Sequence, residues 1–327
     1  PMRRIGLVLG AGGVVGLAFH AGVLAALADE TGWDPRRAEV IVGTSAGSVA
    51  GALLRAGFSA SDLYEEARAG RPSWRARRRL QRAEYVQDEV PAYPPAVDLL
   101  GALASPRLAA RAFATPWAVR PGVAAAALLP EGSLSTAPFA ERLRPLVGSA
   151  WPSAALWVCA VDLDRGHRVV FGRDPAADDV VTALRASCAI PGFFAPVVAD
   201  GRRYVDGGVH SPTNADVLAD GSLDLVVVSS PMSHTGTWPG VALDAPARAF
   251  ARAQLRREEH GLRRAGTPVL VVQPGRGVRA AMGLNPMQAS HRAETAHEAY
   301  AAARRWIATR APRDLLAHLG GVRSAAS

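Results

Sequence analysis

Short, nearly unbroken apolar runs rich in Val, Ile and Leu recur along this chain, each closed by glycine, proline or a small polar cluster. Runs at 5–9, 40–42, 156–161, 168–171, 194–199, 203–205, 223–229 and 268–272 read as strands. Several are apolar at successive positions, as strands covered on both faces are. Between them, 16–29, 59–70, 135–147, 180–188, 248–264 and 291–310 carry helical periodicity, as does the small-residue run after position 45. Ser59 and Ser61 are candidate caps for the helix at 59–70. Asp200-Gly201, between two strand-like runs, is a two-residue hairpin signal. The order strand, glycine turn, helix, strand, tight turn, helix at the start predicts an α/β fold: a central, mostly parallel sheet sandwiched by helices.

One region breaks this rhythm. From 71 to 131 the chain turns Pro-, Arg- and Ala-rich, with an arginine-dense run at 75–82 and prolines at 91, 94, 95, 106, 116, 121 and 130. Prolines at that density cut the stretch into short helices. It is expected to be a helical insertion within one domain spanning 4–310, either a solvent-facing decoration or a cap. In the cap reading its apolar pieces at 97–100 and 124–129 cover an acyl pocket or touch a membrane.

The N-terminus invites a different reading. Arg3-Arg4 followed by an apolar stretch to Ala28 imitates a secretory signal. Gly10, Gly12, Gly13 and Gly16 interrupt it where a signal needs continuous helix, so strand, turn and helix fit better. The expected location is cytoplasmic, with peripheral membrane contact.

Composition narrows the picture. With 327 residues, 49% of them hydrophobic, the chain has ample material for a large core. The net charge is +8, and the sequence holds no lysine, so all its 37 basic side chains are arginine. High G+C coding explains such usage, and a cationic face for an anionic membrane is its functional counterpart. No nucleic-acid-binding motif accompanies the charge. Cys159 and Cys188 lack C-x-x-C spacing, which argues for free thiols rather than a disulfide or zinc site.

Three pieces carry candidate chemistry. Gly43-Thr44-Ser45-Ala46-Gly47 is a G-x-S-x-G between strand and helix, the setting of a nucleophile elbow that also aims the helix's first amides at a developing oxyanion. Gly10-Ala11-Gly12-Gly13 follows the first strand, and its amides can approach an anionic oxygen closely because no Cβ intervenes. Tyr204-Val205-Asp206-Gly207-Gly208 ends a hairpin with a carboxylate that can accept a serine proton, although Asp-Gly-Gly alone is also an ordinary turn. A dinucleotide fingerprint fails, because Val15 stands where G-x-G-x-x-G needs glycine. For a Ser-His-Asp triad His210 is the histidine nearest Asp206, but an α/β-hydrolase places several strands before its elbow. His20 lies mid-helix and reads as a packing residue.

These three pieces, in this order, resemble the patatin-like phospholipases, and their bacterial subgroup in particular. The stretch from Gly10-Ala11-Gly12-Gly13 through His20 to Leu24 is similar to that subgroup's first loop and helix. Arg185-Ala186-Ser187-Cys188-Ala189-Ile190-Pro191-Gly192-Phe193-Phe194 is similar to its segment upstream of the Asp-Gly-Gly. The resemblance covers about 4–218. It implies Ser45 as nucleophile, Asp206 as base of a Ser-Asp dyad, and the amides of Gly12, Gly13 and Ala46 as oxyanion donors. It implies no cofactor and no metal. The substrate expected is a lipid or acyl ester, hydrolysed through an acyl-enzyme on Ser45. Transfer of the acyl group to another acceptor and a weakly catalytic lipid-binding role are the alternatives. One position departs: the family usually has a basic residue where this chain has Val15, which weakens a phospholipid assignment more than an esterase one.

Overall fold

The computed structural model describes residues 3–70, 78, 102–174, 179–236 and 244–320. The apolar piece at 97–100, and the arginine run at 75–82 apart from residue 78, lie outside them. The chain opens with β1 (Ile5–Leu9), α1 (Gly13–Thr31), β2 (Val40–Thr44), α2 (Ala46–Arg55) and α3 (Ala60–Ala69). Ser59 caps α3 in a reciprocal box with Asp62, as its sequence position suggests. α1 begins at Gly13 rather than at 16, because the Gly16 amide already donates to the Gly12 carbonyl at 2.9 Å. By length and composition α1 could cross a bilayer, yet 67% of its most apolar window is buried inside the fold.

Next come α4 (Pro106–Ala114), α5 (Pro121–Leu128) and α6 (Ala137–Val147), then β3 (Ala155–Asp162), β4 (His167–Phe171) and α7 (Val180–Ser187). Pro106 and Pro121 stand in the first turns of their helices, where a missing N–H costs nothing. The hairpin forms as β5 (Val197–Ala199) and β6 (Arg202–Asp206), with Asp200 and Gly201 both at positive φ. Its first strand is shorter than the apolar run at 194–199, since Pro196 has no N–H for the ladder. The chain ends with β7 (Leu225–Ser229), α8 (Ala245–Arg264), β8 (Val269–Val272), α9 (Arg276–Met282), α10 (Arg292–Thr309) and α11 (Arg313–His318).

The eight strands among the described residues form one mixed, mostly parallel sheet with helices around it, the α/β fold that the pattern predicts. The hydrogen-bonded path is β5-β6-β3-β2-β1-β7-β8, with β4 also on β3. β1, β2, β3, β7 and β8 are parallel, whereas β4 and β6 run antiparallel to β3. Alternate residues feed two cores. Leu7, Leu9, Ile41, Leu156 and Val227 join the core built with α1, α2, α3 and α10. Val8, Val42, Cys159, Val226 and Val228 join Leu255 and Leu262 of α8 on the opposite face.

Pairing along β3 decides where β2 and β6 end. β4 pairs with 158–162 of β3, so it occupies one edge along that whole stretch. β2 pairs with 155–159 and β6 with 160–162, so both must lie on the other edge. There the two strands run toward each other and stop end to end, Thr44 opposite Cys159 and Asp206 opposite Ala160.

The described part of the insertion packs away from this meeting point. Val123 and Ala127 of α5 pack with Leu108 and Ala109 of α4 on Val161, Leu163 and Val205. Val161 and Leu163 alternate in step with Cys159, which places these helices on the α8 face.

Candidate active site

Ser45 comes directly after the end of β2 and is held in a backbone conformation with φ 53° and ψ −122°. A side chain rarely adopts that positive φ, and the neighbouring glycines show why the chain tolerates it here. A Cβ at Gly43 would lie 2.4 Å from the Ser48 Cα, and one at Gly47 would fall inside the Leu9 carbonyl. The Ser45 carbonyl starts α2 by accepting the Ser48 hydroxyl at 2.6 Å and the Ser48 amide at 2.9 Å. Its amide donates to the Ser187 hydroxyl at 2.8 Å, which in turn donates to the Cys159 carbonyl at 2.7 Å. Ser187, at the end of α7, thus ties the elbow to β3. The family resemblance takes in Ser187, but a serine in the last turn of a helix is commonplace and does not by itself announce this tie.

The glycine turn is pinned from three sides. The Gly10 amide donates to Ser229 O at 3.0 Å, the Ala11 amide to Pro212 O at 2.7 Å and the Val15 amide to Pro286 O at 3.1 Å. His20 Nε2 lies 2.7 Å from the Gly10 carbonyl and Nδ1 lies 2.8 Å from the Ser229 hydroxyl. A carbonyl can only accept, so Nε2 carries the proton and Nδ1 accepts from Ser229. Burial pushes the His20 imidazole down to about 4, against the opposing pull of the Gly10 hydrogen bond. The packing role expected of His20 therefore extends to holding the turn. Gly13 has φ 62°, and a Cβ there would approach Pro286 O to 2.6 Å. Among the described residues, neither the Gly12 nor the Gly13 amide has a backbone acceptor. Val15 is buried in the core, so its side chain leaves the turn's outer surface to Gly13 and Val14.

Asp206 closes β6. Its amide donates to Ala189 O at 2.9 Å, and its Oδ1 accepts the Gly208 amide at 2.7 Å. The Ser45 side chain stands close enough to the carboxylate to favour its charged form. Burial pushes the Asp206 carboxyl up to about 6, opposed by the Gly208 amide and the Ser45 hydroxyl. Cys188 lies beside Ser45, Ser48 and Asp206, and burial pushes its thiol up, so it stays protonated. Of the five residues singled out in the sequence, the fold brings Ser45 and Asp206 together at the abutting ends of β2 and β6 and sets Gly13, Ser45 and Ala46 around one cavity. Gly12 adjoins it as the residue before α1. His210 takes no part: both its ring nitrogens are buried without a hydrogen-bond partner among the described residues.

That cavity measures about 410 Å³. Leu17, Val49, Leu134, Phe139, Phe194 and Met287 give it apolar walls, and Arg142 of α6 also lines it. It lies on the face of α1 and α2, and none of 124–129 contributes to it. Among the described residues, no three His, Cys, Asp or Glu side chains gather as a metal-binding group.

A family model described as patatin-like phospholipase matches residues 7–219. Among curated proteins, uncharacterised NTE family proteins of Mycobacterium bovis and of Mycobacterium tuberculosis strains H37Rv and CDC 1551 are each 40% identical over 86 residues. The match covers 26% of this chain and 22% of each relative, so the chain spans only about a fifth of their length. The family model takes in most of the chain, including the elbow, the glycine turn and Asp206: the chain belongs to the patatin-like phospholipase family, a family of lipid acyl hydrolases.

Proposed function

We propose that this protein is a serine lipolytic hydrolase whose Ser45 and Asp206 act as a catalytic dyad on lipid acyl esters. The observation that carries the reading is the convergence of Ser45 and Asp206 at the abutting ends of β2 and β6, beside an apolar cavity large enough for an acyl chain. Ser45 Oγ attacks the ester carbonyl carbon while its proton passes to Asp206. The amides of Gly12, Gly13 and Ala46 receive the oxyanion, and no side chain at 12 or 13 stands in the way. As the tetrahedral species collapses, the C–O bond to the alcohol breaks, and the alcohol leaves with the proton from Asp206. Water then attacks the acyl-enzyme, its proton passing to Asp206 and on to Ser45 Oγ as the fatty acid departs. Asp206 must be ionised to accept the first proton, which sets the working range above about pH 6.

Contact with an anionic lipid surface is part of the same reading. Phe113 and Trp117 project into solvent with 75% and 84% of their surfaces exposed. Arg107 and Arg111, also exposed, stand on the same helix as Phe113. Aromatic rings that enter the interface beside cations that meet anionic headgroups suit such a surface.

Labelling with a fluorophosphonate probe tests the central reading. Wild type takes up the probe and Ser45→Ala does not; a well-folded wild type that stays unlabelled would sink the proposal. Hydrolysis of esters of graded chain length, with and without acceptor alcohols, then separates hydrolysis from acyl transfer.

A further inference from the structure

The end-to-end meeting of β2 and β6 leaves a gap in the ladder, because two strands that stop head-on exchange no backbone hydrogen bonds across the junction. The side chain of Asn214 fills it. Its Nδ2 lies 3.1 Å from Thr44 Oγ1, 3.3 Å from Gly207 O and 2.5 Å from Ser211 O. One N–H serves Ser211, and the other is shared between Thr44 and Gly207. Thr44 immediately precedes Ser45, and Gly207 is the residue directly after Asp206.

We propose that Asn214 is a positioning residue, a clasp that joins the ends of β2 and β6 and so sets the separation of Ser45 and Asp206. The inference rests on the reading of those two residues as the reacting pair.

The clasp is held rigidly from behind. Asn214 Oδ1 accepts Arg168 Nη1 at 3.2 Å, and Asp216 grips the same guanidinium through two bonds of 2.6 and 2.9 Å. A guanidinium cannot accept and a carbonyl cannot donate, so the amide can point only one way. Asn214 itself is buried at φ 52° and ψ 30°, a backbone state that suits Gly, Asn and Asp. Glu258 of α8 anchors the same segment by accepting the Thr213 hydroxyl at 2.5 Å and the Ala215 amide at 2.9 Å. This polar cluster belongs to the α8 face of the sheet, where Thr44 points in step with Val40 and Val42. The cavity opens on the other face. Releasing the clasp therefore disturbs the Ser45–Asp206 geometry and leaves the acyl walls alone, a change in kcat without a change in KM.

Two substitutions test this. Asn214→Gly keeps the left-handed backbone and removes the amide, whereas Thr44→Val keeps the shape of a strand residue and removes one acceptor. Each is compared with wild type by kcat and KM on p-nitrophenyl butyrate, and by hydrogen exchange of peptides 40–54 and 200–212. Asn214→Gly is expected to lower kcat roughly 10²-fold at unchanged KM and to speed exchange in both peptides, with a smaller effect of Thr44→Val. Wild-type kcat and wild-type exchange in either folded variant overturn the clasp. So does a variant whose KM rises as kcat falls and whose exchange quickens throughout the chain, which marks a general support of the fold. If Asn214→Gly does not fold, Thr44→Val decides by the same readings. A wild type that hydrolyses nothing counts against the hydrolase reading, while exchange still decides the clasp.

Discussion

The Leu9 carbonyl occupies the space that a side chain at Gly47 would need, 1.9 Å from where its Cβ would sit. The last residue of β1 and the second residue of α2 are therefore in backbone contact, and the glycine turn and the elbow are fixed to each other directly. Gly47→Ala is expected to force them apart, costing about 1–3 kcal/mol of stability in a chain that still folds. Urea denaturation measures the cost, and fluorophosphonate labelling should slow with it.

Asp206 makes activity and stability respond oppositely to pH. Its carboxyl titrates at about 6 in the folded protein and near 3.8 when unfolded, so the folded state holds the proton more tightly. The stabilisation is fully present below the unfolded value and is lost as pH rises through 6. The ionised form that the proposed reaction needs appears over the same range. Asp206→Asn keeps an oxygen for the Gly208 amide and removes the buried charge. Calorimetry at pH 7.5 is expected to show a Tm no lower than wild type, with kcat reduced on the order of 10²–10⁴-fold.

His20 responds in the other direction. Its folded value of about 4 lies below the ordinary 6.5, so stability is present above 6.5 and lost as pH falls toward 4. His20→Phe removes that dependence and leaves the Gly10 carbonyl and Ser229 hydroxyl buried without their partner, at roughly 1–3 kcal/mol each. Denaturant midpoints of His20→Phe should fall as pH rises from 4 to 7, the Asp206 dependence that His20 offsets in wild type, and activity should fall because the glycine turn loses its brace. Between pH 4 and 6 the two titrations oppose each other in wild type, so each appears clearly only in the other's variant.

The paired change Phe113→Ser and Trp117→Ser is expected to weaken binding to phosphatidylglycerol vesicles. Each aromatic ring buried in the interface contributes about 1.5–3 kcal/mol, so the double variant should lose tenfold or more. Vesicle flotation measures this. Hydrolysis of a soluble short-chain ester should not change, since neither residue lines the cavity.

The sheet is legible because its strands are apolar on both faces and its turns are glycine-marked, and Ser45, Gly12-Gly13 and Asp206 stand out for the same reason. What the sequence hides is long-range register. That β6 lands on the same edge of β3 as β2 depends on pairings between segments far apart in the chain, which no local pattern encodes. Ser187 and Asn214 are ordinary polar residues until that register brings backbone groups to them. The placement of α4 and α5 escapes the sequence for a related reason: short apolar pieces such as 124–129 do not say which face of a sheet they will cover.

β3 acts as a ruler for the whole site. Each residue along it measures about 3.4 Å, and side chains return to the same face only every second step. A slip of β6 by two residues would keep every side chain on its proper face, yet it would carry Asp206 about 7 Å farther from Ser45. A chain that is fully packed but out of register would then look native by its core and be silent toward a serine probe. On the proposed mechanism, reactivity at Ser45 would report the correct seating of a distant hairpin, and its recovery during refolding should lag behind the return of secondary structure.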